Sequence, residues 1–184
     1  MDYKKRCQFL EQRIKRLNAI GLALSTEEDT NKIFEMILEE ARHITNADGR
    51  TLYMIDKENN LKFEILRNDS MDTIMGGTSG VNIPFPPIKL KNDDGTENHS
   101  NVCAHVALSG EIKNIDDAYE EEGFDFSGTI AFDKNFGYRS KSFLNVPIKN
   151  HEDEIIGVMQ LINATDKISG KTIPFSQDMQ KQII

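Results

Sequence analysis

The stretch 138–166, "YRSKSFLNVPIKNHEDEIIGVMQLINATD", holds two apolar runs joined by a short polar joint, and its reading decides the fold. Apolar runs of this length around a polar turn read as a hairpin of two buried strands. One position is out of place, because Asn145 interrupts "SFLNVPI". Side chains alternate along a strand, so Phe143, Asn145 and Pro147 share one face while Ser142, Leu144, Val146 and Ile148 share the other. A strand buried on both faces should be apolar throughout. Its amide must therefore bond to neighbouring backbone or look into a cavity built for something polar, since an unpaired buried amide costs about 1–3 kcal/mol.

Working upstream, "DDAYEEEGFDFSGTIAFDKNFGYRS" is rich in acids, aromatics and glycines and shows no clear period, so short helical turns in an irregular segment are expected. Before it come a short strand, "IKNI", and a helix in "NVCAHVALSG" that runs through Val102 and Val106 and stops at Gly110. From Asp69 to Ser100 periodicity is lost among glycines and prolines, with room for one edge strand in "VNIPFPPIKL". A connection that long is uncommon in a compact domain unless it is functional. "RTLYMIDKENNLKFEIL" alternates around Glu58, Asn59 and Asn60 and reads as another hairpin. A helix precedes it, capped by Thr26, Asp29 or Thr30, with Ile33, Ile37, Ala41 and Ile44 on one face and Asn46 and Gly49 ending it. Downstream of the quoted hairpin, Phe175 begins a last helix that stops at Ile184 without a cap.

At the N-terminus, Tyr3, Cys7, Leu10, Ile14, Leu17, Gly21 and Leu24 follow alternating steps of four and three, the spacing of a left-handed coiled-coil seam. Residues 1–18 carry a local charge of +4 in a chain whose net charge is −8, so the boundary falls near residue 25. We therefore expect a coiled-coil or signalling helix over 1–24, pairing two copies as a homodimer, and one domain over 25–184. The acidic balance argues against nucleic acid as a partner. No apolar run approaches the roughly 20 residues a bilayer span needs, so a cytoplasmic protein with no membrane insertion is expected. Cys7 and Cys103 are too few for a disulfide framework and should be free thiols.

The motifs of common enzyme classes are missing: there is no G-x-S-x-G, no P-loop, no H-E-x-x-H and no G-x-G-x-x-G after a strand. No catalytic residue is expected. His99, Cys103 and His105 form H-x3-C-x-H, but Cys103 and His105 diverge on a helix and no fourth ligand is evident, so no metal is expected.

"FGYRSKSFLNVPIKN" followed by "EIIGVMQLINA" resembles the most recognisable strand pair of GAF domains, the small sensing modules of cyclic-nucleotide phosphodiesterases, phytochromes and bacterial signalling proteins. "GEIKNIDDAY" resembles the family's short strand and the turn after it. "MGGTSGVNIPFPPIKL" and "EGFDFSGTIAFD" resemble a bacterial subgroup that often precedes an HD-GYP phosphodiesterase domain, which degrades cyclic di-GMP. The resemblance implies an α+β fold, with about six antiparallel strands, helices on one face and a pocket roofed by short helices and loops on the other. Leu144 and its neighbours would then face the helices, and Asn145 the pocket floor.

The resemblance also implies a ligand site. Asn145 on the floor, Ser127 and Thr129 in the roof, and Phe132 with Asp133 at its end are expected to line one cavity, for a small planar ligand or a nucleotide; haem is not expected. Phe132 would cover a planar ring, Asn145 and Thr129 would offer hydrogen bonds, and Asp133 would favour a donor or cation over a phosphate, which would need a compensating cation such as Arg139. Cyclic-nucleotide members of the family carry an Asn-Lys pair, a Phe and an acid that help close the pocket. Asn163, Phe175 and Asp178 match that pattern, but Ala164 replaces the Lys. The expected function is regulation of an output domain, HD-GYP above all, with a cyclase or histidine kinase as alternative outputs. A ligand-free dimerisation scaffold is the alternative from another class.

Overall fold

The computed structural model describes residues 27–183 together with Cys7, Glu11, Ile14, Lys15, Asn18, Gly21 and Leu22, which are helical. Most of the expected seam, including Tyr3, Leu10, Leu17 and Leu24, lies outside the described residues, and so does Ile184.

In chain order the elements are α1 (Thr30–Thr45), β1 (Ala47–Ile55), β2 (Asn60–Asn68), β3 (Thr73–Gly76), a 3-10 turn (Gly77–Ser79), β4 (Ile88–Lys89), α2 (Val102–Ser109), β5 (Lys113–Ile115), α3 (Ser127–Phe136), β6 (Phe143–Lys149), β7 (Ile155–Thr165), β8 (Thr172–Ile173) and α4 (Gln177–Ile183). The strands form one antiparallel sheet in the order β3-β2-β1-β7-β6-β5, with β4 added to β2 and β8 to β7. Both expected hairpins, β1–β2 and β6–β7, are present.

Local chemistry sets the ends of α1. The Asp29 side chain accepts from the Asn31 N–H, and Asn46 takes the left-handed conformation at the C-cap. Gly49 lies within β1 rather than ending the helix. The most buried side chains of α1 are Leu38, Ala41 and Thr45, with Phe34 packed beside them. The buried stripe is therefore turned from the expected Ile33–Ile37–Ala41–Ile44 line, because the helix must seat Leu38 against Leu52 and Ile65 of the sheet.

The segment 69–100, expected to lack periodicity but for one edge strand, holds that strand as β4 and adds β3, the 3-10 turn and a tight turn closed by the Asn92 N–H on the Thr96 carbonyl. Strands this short carry too few residues to show a period of two. The segment "SGTIAFDKNF" likewise forms one continuous helix, α3, which Gly137 ends at positive φ.

The sheet separates two apolar clusters. Leu38, Leu52, Ile65, Leu144, Val146, Met159, Leu161 and Phe175 fill the side covered by α1 and α4. Tyr53, Leu61, Val102, Val106, Phe126, Phe143 and Val158 fill the side covered by α2 and α3. Successive residues of β6 and β7 alternate between the two, as period-two geometry requires. β2 breaks that alternation. Its register against β1 shifts between Leu52 and Tyr53, leaving Glu64 as an extra residue, so Phe63 and Leu66 both face the α3 side while Ile65 faces α1. A bulge of this kind re-aims side chains, and here it adds an apolar residue to the wall beneath α3.

Candidate ligand cavity

Beneath α2 and α3 lies a cavity of about 360 Å³, a size typical of small-molecule sites. Its floor comprises Thr51 and Tyr53 of β1, Phe63 and Leu66 of β2, Phe143 of β6, and Gln160 and Ile162 of β7. Its roof comprises Val102 and Cys103 of α2, Asp125 and Phe126, and Gly128, Thr129 and Phe132 of α3. Phe85 and Pro86, on the strap between the 3-10 turn and β4, close one side. Phe85 meets Phe132 edge to face at 6.1 Å and Phe63 at 5.5 Å. The Phe85 and Phe132 rings border both this cavity and a neighbouring larger one of about 670 Å³, lined by Ser70, Met71, Met75, Phe136 and Tyr138.

A polar row crosses the floor. The register sets Thr51 opposite Gln160, Gln160 opposite Asn145, and Asn145 opposite Lys113. Asn145 is 0% exposed. Its Oδ1 accepts from Gln160 Nε2 at 2.9 Å and from the Cys103 thiol at 3.6 Å, and its Nδ2 donates to the Lys113 carbonyl at 3.4 Å. Gln160 Nε2 also reaches Cys103 Sγ at 3.0 Å, and Gln160 Oε1 accepts from Tyr53 Oη at 3.1 Å. The amide that interrupts "SFLNVPI" is thus held by protein neighbours one layer behind the cavity wall, and Gln160 is the amide at the wall itself. Burial pushes the Cys103 thiol up to about 12 and raises Tyr53 well above its ordinary value, so both are protonated at neutral pH. Cys7 and Cys103 are free thiols.

Of the five residues expected at the site, Thr129 and Phe132 line the cavity. Ser127 stands exposed at the start of α3, one residue before Gly128 of the wall. Asp133 is 2% exposed and turned inward, where it accepts from Tyr119 Oη at 2.9 Å, Ser140 N at 2.7 Å and Ser140 Oγ at 2.8 Å. It positions Ser140, which does line the cavity. Asn145 lies behind Gln160. Arg139 stacks over Tyr119 at 3.5 Å and bonds to Asp117, and does not line the cavity.

Sequence reasoning did not single out Thr51, Tyr53, Phe85, Asp125 or Gln160. Gln160 carries the same signal as Asn145, a side-chain amide inside the apolar run "GVMQLI". Phe85 had no signal at all, since only the path of the strap brings it to the cavity.

Asn163, Phe175 and Asp178 do not gather at the cavity. Asn163, at a φ of 58°, accepts from Lys141 N and donates to the Arg139 carbonyl and Tyr138 Oη, pinning the entry to β6. Phe175 belongs to the cluster on the opposite side of the sheet, Ala164 is fully buried, and Asp178 is exposed on α4. His99 and His105 approach at 3.1 Å between their Nδ1 atoms, while the Cys103 thiol points to Gln160 and Asn145. Among the described residues, no group of three or more potential metal ligands is brought together. Nor is any helix among them long and apolar enough to cross a membrane.

Comparisons with known proteins agree with this architecture. The chain is 30% identical over 158 residues, 86% of its length, to the dual 3',5'-cyclic-AMP and -GMP phosphodiesterase 11A of Takifugu rubripes, of which it spans only 16%. Its fold is similar to the GAF domain of an Acinetobacter phosphoenolpyruvate-protein phosphotransferase, with a TM-score of 0.59 at 15% identity over 92% of this chain and 84% of that one. It is also similar to residues 122 to 287 of a methyl-accepting chemotaxis protein, with a TM-score of 0.57 at 18% identity over 89% of this chain and 87% of that one. The GAF domain family model matches residues 29–183, the span that builds both faces of the sheet and the cavity, and the chain belongs to the GAF domain family.

Proposed function

We propose that this chain is the small-molecule-sensing regulatory module of a cytoplasmic bacterial signalling protein, in which a planar ligand enters the cavity beneath α3 and alters the helices that lead to an output domain. The observation that carries this is the cavity itself: a ring of phenylalanines around a few hydroxyl and amide groups, the composition of a ligand pocket rather than of a packed core. Phe132 and Phe85 would cover the ligand ring. Thr129 and Gln160 would bond its edge, with Asn145 fixing Gln160 from behind, Asp133 fixing Ser140, and Ser127 at the mouth.

A route to the helices exists through α1. The Glu35 carboxylate accepts from Thr78 N at 2.9 Å, from Thr78 Oγ1 at 2.8 Å and from Arg67 at 2.6 Å, and the 3-10 turn that holds Thr78 leads into the strap that carries Phe85. A ligand that shifts Phe85 would therefore load α1 through the strap and Thr78. A coupling of about 1–3 kcal/mol along such a route would regulate an output several-fold to a hundredfold.

The likeness of 75–90 and 122–133 to GAF domains that precede HD-GYP domains supports a cyclic di-GMP phosphodiesterase as that output. The described helical residues of the N-terminus, Cys7, Glu11, Ile14, Lys15, Asn18, Gly21 and Leu22, with Ile14 58% exposed, support a dimer formed through the N-terminal helix. One observation favours the scaffold alternative, namely that Asn145 needs no ligand to satisfy it.

Thermal unfolding with a panel of purines, nucleosides, cyclic nucleotides, amino acids and haem decides between the two. A ligand at a hundred times its Kd adds about 2.7 kcal/mol, and Phe132→Ala should remove that gain. A panel without any stabilising compound would leave the scaffold.

A further inference from the structure

We propose that Asp125 selects ligands by charge, so that the cavity takes a planar heterocycle that is neutral or cationic and carries N–H donors, and turns anions away. This rests on the sensing function above and names the chemical class of its ligand. Asp125 is the sole charged side chain among the residues that line the cavity. Of the cations close to the roof in sequence, Arg139 bonds to Asp117 and stacks on Tyr119, Lys141 lies 3.8 Å from the same Asp117, and Lys134 is exposed in the last turn of α3 and does not line the cavity.

The first turn of α3 opens onto the cavity at Gly128 and Thr129. Left alone, that helix end would favour a phosphate through its free N–H groups and partial positive charge. Here a carboxylate already occupies it. Asp125 Oδ1 accepts the Ser127 N–H at 2.8 Å. The hydrogen bonds from Ser127 hold its carboxyl below the usual range, so it is ionised at neutral pH. An incoming phosphate would meet a like charge with no lysine, arginine or histidine in the wall to offset it. A ring N–H or a ring cation would instead meet an acceptor, while Thr129 and Gln160 satisfy the remaining edge.

The experiment is calorimetric titration of the purified chain with matched pairs: adenosine against cyclic AMP, guanosine against cyclic GMP, riboflavin against its 5'-phosphate, with N1-methyladenosine as a cationic member. In at least one pair the uncharged or cationic member should bind about 10-fold tighter than its anionic counterpart, about 1.4 kcal/mol. Asp125→Asn keeps an oxygen to accept the Ser127 N–H and should narrow that ratio about 10-fold. Phe132→Ala should weaken every member alike. Equal or tighter binding of the anions by the wild-type chain, or a ratio unchanged in Asp125→Asn, overturns charge selection and leaves the sensing function standing, because a ligand is bound in either case. Failure of every member to bind overturns both.

Discussion

Asn145 and Gln160 show how a polar pair can be buried at low cost: each satisfies the other, and the backbone carbonyl of Lys113 and the Tyr53 hydroxyl take up what remains. Removing one partner leaves a buried group unpaired, so Asn145→Ala and Gln160→Ala should each destabilise the domain by about 1–3 kcal/mol in urea unfolding. The double variant should cost less than their sum, giving a coupling of roughly 0.5–3 kcal/mol. Strict additivity would show that the pair is not a unit. Cys103 completes this cluster and makes stability depend on alkaline pH. Its thiol loses a proton at an ordinary value of 9.0 in the unfolded chain and at about 12 in the folded one. Between those values the folded state binds the extra proton, so its contribution is complete below pH 9 and declines as pH rises toward 12, by about 1.4 kcal/mol per pH unit. Cys103→Ala should flatten the alkaline limb of a stability–pH curve, and identical limbs would refute this account.

Between elements, two close contacts hold the frame around the cavity. The Glu35 carboxylate ties α1 to Thr78 of the 3-10 turn and to Arg67 of β2, which pairs with β3. Glu35→Ala should cost about 1–3 kcal/mol and speed amide exchange over 77–87 ahead of the rest of the sheet. Uniform exchange across the domain would place the strap's anchor elsewhere. Gly157 sits where β7 presses on β1, and a Cβ there would run into the Tyr53 carbonyl and the Met54 side chain. Gly157→Ala should therefore overpack this joint and destabilise by about 1–3 kcal/mol; a neutral effect in thermal melts would contradict that packing. Gly76 serves the edge in the same way, with φ of 68° and a position where a Cβ would run into the Glu64 carbonyl at the bulge.

At the scale of the whole molecule, the N-terminal helix should pair two copies, and Ile14→Asp should give a monomer by analytical ultracentrifugation while the melting temperature of the domain stays close to wild type. A variant that still sediments as a dimer would rule out the seam. The sequence by itself determined the two hairpins, the helices over 30–45 and 102–109, and which side chains of β6 share a face, because these follow from local periodicity, caps and the alternation of side chains on a strand. It also flagged Asn145, because a polar residue in an apolar run is visible without any partner. Only the tertiary structure decided what that amide does. Its partners Gln160, Cys103 and Lys113 lie 15, 42 and 32 residues away, and no local pattern encodes a pairing across strands. The same reason separates Asp125 from Asp133. Both are acids in one aromatic segment, yet the turn into α3 leaves Asp125 at the cavity, while the helix swings Asp133 onto Tyr119 and Ser140. Phe85 is the extreme case, carried to the ligand cavity by an irregular strap whose path is set by its anchor on Glu35 and its β4 contact with β2, interactions that form only when the chain is folded.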